Sequence, residues 1–495
     1  MRVGEVLKNI VDRTAFDSAI RHLGAASVRL PTFRELADPS LIPTEVAAEV
    51  ARHDPAEPCP ENLFRVHWFN GEGGAGTVAT PGFVLLGREF TGVDAPIAVV
   101  LGDRFPMIGS HKVLAAYACL VSRLITGRFD PDRDRAIWPS TGNYCRGGVA
   151  ISRILGCRSV AVLPEGMSAE RFEWLRRWIN QPEDIVRTPG SESNVKEIYD
   201  ACDDLAIEST NVVLNQFSEF ANYLVHFQCT GAALEQVFRH LQSVDPQFTL
   251  AAFVAGTGSG GTLAAGDYLK DAHDSRIVAV EPINCPTMLY NGYGSHNIQG
   301  IGDKHIPLIQ NVMNTDAVVG ISDDSCDRLN VLFNTDVGHA HLIDRQGIDP
   351  SVVEEMQHLG LSGIANVLAA IKTARYFDLT EKDLIVTVAT DGSALYNSER
   401  EKTISSSFSG DFDAVSAAET FAADLVGVDG DHYLETLHRD RRRIFNLGYY
   451  TWVEQQGVEL DMFDQRADQR FWKDIQEVLP VWDDMIDDFN RKTGN

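Results

Sequence analysis

The sequence predicts an α/β protein built on open parallel sheets, and three observations predict it. From about residue 95 to 390, short β-rich runs alternate with stretches of helical period. The runs are apolar on both faces, as a strand must be when helices cover its sheet on both sides. Strand and helix follow one another in turn, the order of parallel sheets rather than of hairpins.

Residues 1–20 place acids among their apolar positions and have no continuous apolar stretch, so they read as an amphipathic surface helix and not as a secretory signal. The rest of 1–80 is irregular, with a turn at 72–76 (EGGAG). Strands are expected at 97–101 (IAVVL), 159–163 (SVAVL), 211–214 (NVVL), 250–255 (LAAFVA), 276–281 (RIVAVE) and 384–389 (LIVTVA). Helices are expected at 112–125 and 169–179, and GHAH at 338–341 reads as a strand with His339 and His341 on one side. SSSFSG near 405 reads as a low-complexity linker into an acidic helical tail. The chain thus divides into an N-terminal extension (1–75), a core of two α/β lobes (76–400, the smaller roughly 110–220) and a helical C-terminal extension (401–495).

With 43 basic against 70 acidic residues the formal charge is −27, which argues against a nucleic-acid partner, since that affinity rests on clustered Lys and Arg. An apolar fraction of 44% is enough for a buried core and argues against disorder. No apolar run approaches the roughly 20 residues that span a bilayer. The eight cysteines form no C-x-x-C pair, so neither a disulfide framework nor a zinc site is expected, and a cytoplasmic location is. The histidines are scattered, and no metal site is read from them.

In open sheets ligands bind at the carboxyl ends of strands. Four such loops are unusual here. At 105–120, Ser110, His111 and Lys112 open a helix after an extended stretch; a lysine at a helix N-terminus sits in the positive end of the dipole, a local cost that a nucleophilic, Schiff-base-forming amine would explain. At 138–151, Ser140, Thr141, Gly142 and Asn143 meet a helix start, where hydroxyls and N–H groups make a nest for a carboxylate. Cys145 has no histidine nearby in sequence and reads as inert. At 251–270, the run GTGSGGTL lets several N–H groups converge on an anion at a helix N-terminus, a monophosphate cradle. No Lys-Ser/Thr follows it, so it is not a P-loop, and the acid required of a dinucleotide fingerprint is missing. At 384–396, Thr390, Asp391 or Ser393 could meet a heteroaromatic nitrogen. An amine, a carboxylate nest, a phosphate cradle and a ring-nitrogen partner together match pyridoxal 5′-phosphate.

These motifs resemble those of the fold-type II pyridoxal-phosphate enzymes, the tryptophan synthase β-subunit-like group, over roughly residues 75–397. SHK (110–112) resembles the Schiff-base lysine motif, STGN (140–143) the substrate-carboxylate loop and GTGSGGT (256–262) the phosphate loop. NQF (215–217), HFQCTG (226–231), VEP (280–282) and SHNIQGIGDKHIP (295–307) are similar to the cysteine synthase branch. The resemblance implies that Lys112 holds the cofactor and that Asn143 contacts its 3′-oxygen. It assigns Gly258, Ser259, Gly260, Gly261 and Thr262 to the phosphate, Ser140, Thr141 and Gln216 to the substrate carboxylate, and Ser393 to the ring nitrogen, with Thr390 and Asp391 as alternatives. Tyr-Cys-Arg at 144–146 departs from the small residues usual there, and Arg146 is expected to reach solvent, with pairing to a second anionic group on the substrate as the alternative. The tail maps onto nothing in the family.

The implied activity is that of a lyase acting by β-elimination on a cysteine- or serine-like amino acid, through an aminoacrylate, with Lys112 removing the α-proton. Alternatives are a β-replacement synthase of the cysteine synthase type and, from another class, a non-catalytic regulatory protein that kept the fold. The expected partners are a small amino acid and a second copy of the chain, with neither nucleic acid nor membrane.

Overall fold

The computed structural model describes residues 3–140 and 142–494. Eleven strands form two sheets. The larger contains β1 (Phe83–Leu86), β2 (Ile97–Leu101), β7 (Thr249–Gly256), β8 (Arg276–Pro282), β9 (Ala317–Ile321), β10 (Asp383–Ala389) and β11 (Tyr433–Glu435), in the order β1-β2-β10-β7-β8-β9-β11. The smaller contains β3 (Arg135–Pro139), β4 (Arg158–Pro164), β5 (Ile185–Thr188) and β6 (Asn211–Val213), in the order β5-β4-β3-β6, parallel throughout. Among the strands of the described residues, only the edge strands of the larger sheet, β1 and β11, pair antiparallel.

All six strands expected from the apolar runs are present, and β2 and β9 are buried at every position. Helices Lys112–Ile125 and Ala169–Trp178 lie where the periodicity puts them. The first buries nearly its whole circumference, because helices from the smaller lobe and from both chain ends surround it.

Two expectations are corrected. SSSFSG is not a linker: helix Asn397–Ser407 runs through Ser405, Ser406 and Ser407 before the chain turns at Ser409, and just ahead of them the Thr403 hydroxyl is satisfied within the helix by donating to the Glu399 carbonyl at 2.9 Å. GHAH is helical rather than extended, because Thr335 caps Asp336–Ala340 by accepting from the Gly338 N–H at 3.2 Å, and a π-turn continues it over His341–Arg345.

The chain ends pack on one another and on the core. The Asn490 side chain donates to the Leu30 carbonyl at 2.8 Å and accepts from its N–H at 3.0 Å, while Asp483 accepts from the Phe33 N–H at 2.7 Å. Trp452, Trp472 and Trp482 are buried, and β11 extends the larger sheet. No helix is long and apolar enough to cross a membrane among the described residues.

Candidate active site

The loops leaving β2, β3, β6, β7 and β10 converge on one cavity between the two sheets. Lys112 is the first residue of its helix and projects into it. Its Nζ donates to Ser259 Oγ at 3.1 Å and to Gln216 Oε1 at 3.3 Å. One amine thus touches both the glycine loop and the loop after β6. Burial pushes its pKa down to about 8, against the opposing pull of Asp303 and Glu192. A lysine so tuned is a competent nucleophile near neutral pH.

The backbone ahead of Lys112 is anchored to the end of β10, with the His111 N–H donating to the Thr390 carbonyl at 3.2 Å. Burial pushes His111 down to about 3, so the ring is neutral. Because the Thr390 carbonyl can only accept, at 3.3 Å from Nδ1, Nδ1 carries the proton, and Nε2 accepts from the Thr262 hydroxyl at 3.0 Å. His111 therefore acts as a neutral spacer between the lysine and the glycine loop.

The glycines of that loop are required by what lies behind them. A Cβ on Gly258 would stand 2.5 Å from the Gly300 carbonyl oxygen, and one on Gly261 would stand 2.3 Å from Asn222 Oδ1. The N–H groups of Gly258, Ser259, Gly260 and Thr262 donate to no other described residue. Unpaired donors beside a buried strand end, preceding helix Ala264–His273, fit a phosphate group. With Lys112 in reach of the same cavity, the residues present fit pyridoxal phosphate.

Ser140 is buried, lines the cavity and accepts from the Gly142 N–H at 2.9 Å. Thr141 lies outside the described residues. Gln216 also lines the cavity. Asn143 donates Nδ2 to Asp391 Oδ2 at 2.5 Å and accepts at Oδ1 from Arg146 at 2.8 Å, leaving a second amide N–H for a ring oxygen. Of the three candidates for a ring nitrogen, Thr390 lines the cavity, with its hydroxyl 2.8 Å from Ser362 Oγ. Asp391 lies behind Asn143, held by Tyr396 at 2.8 Å and facing Arg171 at 3.6 Å. Ser393 is buried at the start of the short turn Ser393–Tyr396 and is not among the cavity-lining residues.

Arg146 does not reach solvent. It is 2% exposed, donates to Asn143 and to the Ile108 carbonyl at 2.9 Å, and lies over the Trp174 ring at 5.0 Å. The expectation failed because position 146 shares a face with Asn143 on a helix buried all round. Cys145 is buried, donates to the Gly142 carbonyl at 2.9 Å, and burial pushes its thiol up to about 12, which makes it inert.

Two groups escaped the sequence reading, Glu192 and Asp303, and Tyr144, noted there only as a departure from the family pattern, lines the cavity with them. Glu192 sits in a polar loop after β5 that carries no motif. Asp303 lies inside the recognised segment 295–307, where an acid in a glycine-rich run was the available signal. The fold also brings His53, Cys59 and Glu61 together, their ligand atoms within 4.8 Å of one another, although no metal set was read from the sequence. They are not part of the cavity lining.

A family model described as pyridoxal-phosphate dependent enzyme matches residues 87–332. The chain is 32% identical over 219 residues to a cysteine synthase of Staphylococcus aureus, covering 44% of this chain and 67% of that protein. It is 31% identical over 274 residues to cysteine synthase B of Campylobacter jejuni, covering 54% of this chain and 80% of the relative. Among solved structures, a hydrogen sulfide-producing enzyme from Fusobacterium nucleatum superposes with a TM-score of 0.53 at 23% identity, over 67% of this chain and 98% of that one. An O-acetylserine dependent cystathionine beta-synthase from Helicobacter pylori gives 0.51 at 21% identity, over 64% and 94%. These two share the fold.

Proposed function

The chain belongs to the pyridoxal-phosphate-dependent enzyme family, and from that premise we propose that it is a lyase acting by β-elimination on a serine- or cysteine-like amino acid. The observation that carries this reading is the position of the Lys112 amine, within hydrogen-bond distance of both the phosphate-type loop and Gln216.

In this reading Lys112 holds the cofactor's aldehyde end and the 258–262 loop its phosphate. Asn143 holds the ring oxygen, and Thr390, rather than Ser393, meets the ring nitrogen. Pyridoxal phosphate supplies an electron sink for charge developing at the substrate's α-carbon. Everything else falls to the chain. Ser140 and Gln216 orient the substrate carboxylate, which fixes the Cα–H bond toward the lysine. The Lys112 amine, with its pKa lowered to about 8, takes the α-proton.

The 31–32% identity to cysteine synthases favours β-replacement as the second reading. A non-catalytic role would leave the buried lysine and the unpaired loop donors without purpose. We place the enzyme in the cytoplasm, in keeping with eight unpaired cysteines, and as a homodimer, to be checked by analytical ultracentrifugation.

The test is the visible absorption of the purified protein with L-serine, L-cysteine and O-acetyl-L-serine added in turn, with pyruvate and ammonia measured alongside. Pyruvate release without an added nucleophile supports elimination. Product formed only when sulfide or another nucleophile is supplied supports replacement and removes the lyase reading.

A further inference from the structure

Outside the cavity, the N-terminal region carries a cluster of metal-ligating side chains that the proposed reaction does not use. His53 follows the helix Thr44–Val50, and Cys59 and Glu61 flank the start of the 3₁₀ turn Pro60–Arg65. Their ligand atoms lie within 4.8 Å of one another. About His53 Nε2 the spacing is tighter, with Glu61 Oε2 at 3.8 Å and Glu49 Oε1 at 3.7 Å. Metal–ligand bonds of about 2.0–2.3 Å in a tetrahedron set ligand atoms roughly 3.3–3.8 Å apart, so both histidine–carboxylate pairs already stand at that spacing.

The loop that presents these donors is tied together independently of them. Asn62 is fully buried, and its Nδ2 donates to the Asp54 and Glu57 carbonyls, each at 2.8 Å. Arg65 Nη1 donates to the His53 carbonyl at 2.9 Å, and the Cys59 carbonyl accepts from the Asn62 N–H at 3.1 Å. The three ligating side chains are half-buried, so an ion can reach them from solvent. Cys59 is also the one cysteine of the eight that is not buried, and it is in no disulfide. The donor types narrow the choice of ion. Calcium and magnesium take oxygen ligands, whereas a sulfur, a nitrogen and an oxygen together suit zinc. A thiolate and a carboxylate also carry the two negative charges that a divalent ion balances.

We infer that His53, Cys59 and Glu61 bind a zinc ion, with Glu49 beside its fourth position, and that the ion pins the N-terminal region to the segment leading into Lys112. That segment already leans on the same loop. The Pro55 carbonyl accepts from the Met107 N–H at 2.9 Å, and Met107 is held at φ +64°, a conformation costly for a side chain of its size. Farther along, the Trp68 ring packs on Phe105 at 5.1 Å and on His111 at 5.7 Å. On binding, the Cys59 thiol releases its proton to solvent, and neither metal nor protein changes oxidation state. Such an ion takes no part in the proposed elimination.

The test strips the untagged holoenzyme with a chelator and reloads it with zinc or, in parallel, cobalt(II). Zinc should bind at one equivalent per chain and raise the thermal midpoint. Cobalt should give a thiolate-to-metal charge-transfer band in the difference spectrum against the metal-free holoenzyme. Cys59→Ser should remove that band, and Cys59→Ser and His53→Ala should each weaken zinc binding about a hundredfold or more, measured against a chromophoric competitor. The cofactor band and circular dichroism of the metal-free variants report that they are folded. In the natural protein zinc should also protect Cys59 from alkylation by iodoacetamide, a readout that needs no variant. Absence of the cobalt–thiolate band, a band that survives Cys59→Ser, zinc bound equally well by both variants, or alkylation of Cys59 unchanged by zinc overturns the inference and leaves the lyase reading standing.

Discussion

Asn143 donates to Asp391 at 2.5 Å, joining the helix after β3 in the smaller sheet to the end of β10 in the larger. The two lobes are thereby fastened at the cavity itself, and Arg146, Tyr396 and Arg171 complete the fastening. Burial raises the Asp391 carboxyl above the usual carboxylate range, with Arg171 as the strongest opposing influence. Replacing Asp391 by Ala strands buried cations and unfastens Asn143. A loss of about 3–5 kcal/mol is expected in urea denaturation. A loss below about 1 kcal/mol would show that the network adds little.

Lys112→Ala should abolish the lysine-linked cofactor band and lower turnover by about 10³-fold or more, as expected for removal of a proton-transferring group, with the far-ultraviolet circular dichroism unchanged. Activity within tenfold of the natural protein would assign the α-proton to another group.

The same lysine predicts a pH dependence of stability in the cofactor-free protein. Folding lowers its pKa from 10.5 to about 8. Between those values the unfolded chain binds more protons than the folded one, so this residue's contribution makes stability rise with pH across that window. Lys112→Met should therefore be the more stable form at pH 7, with its advantage shrinking as pH rises through 8 toward 10.5. An advantage constant over the window would mean that the amine is not desolvated as described.

Gly258→Ala places a methyl carbon 2.5 Å from the Gly300 oxygen, so the glycine loop must shift. Cofactor affinity should weaken by about tenfold or more, measured by fluorescence titration of the cofactor-free protein, with little change in thermal unfolding. Unchanged affinity would remove this loop from phosphate binding.

Removing 405–495 should give an insoluble or molten chain. Trp452, Trp472 and Trp482 would be lost from the core, β9 would lose its edge partner β11, and the Phe33 N–H would lose Asp483. Trp452 also donates to the Ile306 carbonyl at 2.7 Å and Arg466 to the Leu308 carbonyl at 2.6 Å, so the tail steadies the segment that carries Asp303. A soluble, active truncation would contradict this.

The sequence disclosed the fold where local pattern and tertiary demand coincide. Runs such as 97–101 and 276–281 are apolar on both faces because helices cover both sides of their sheet. β5 and β11 are short, half-buried edge strands without a strong apolar pattern and were not expected, and neither were β1 and β9, although β9 is buried at every position and its apolar run AVVGI was an available signal. That Lys112, Asn143 and the glycine loop meet at one cavity was legible because each sits on a strand-to-helix junction with unusual residues. Arg146 was misread because an arginine's burial depends on partners 38 residues away at Ile108 and on the neighbouring helix Ala169–Trp178 at Trp174. Which of Thr390, Asp391 and Ser393 lines the cavity depends on how the chain turns after β10, which no periodicity encodes.

Lys112 is the residue proposed to carry the cofactor. Reduction of the holoenzyme with borohydride, followed by peptide mass spectrometry, tests it most directly. A pyridoxyl-phosphate adduct is expected on the peptide containing Lys112 and on no other. An adduct on a different lysine, or none in a protein that retains the cofactor's absorption, would contradict it.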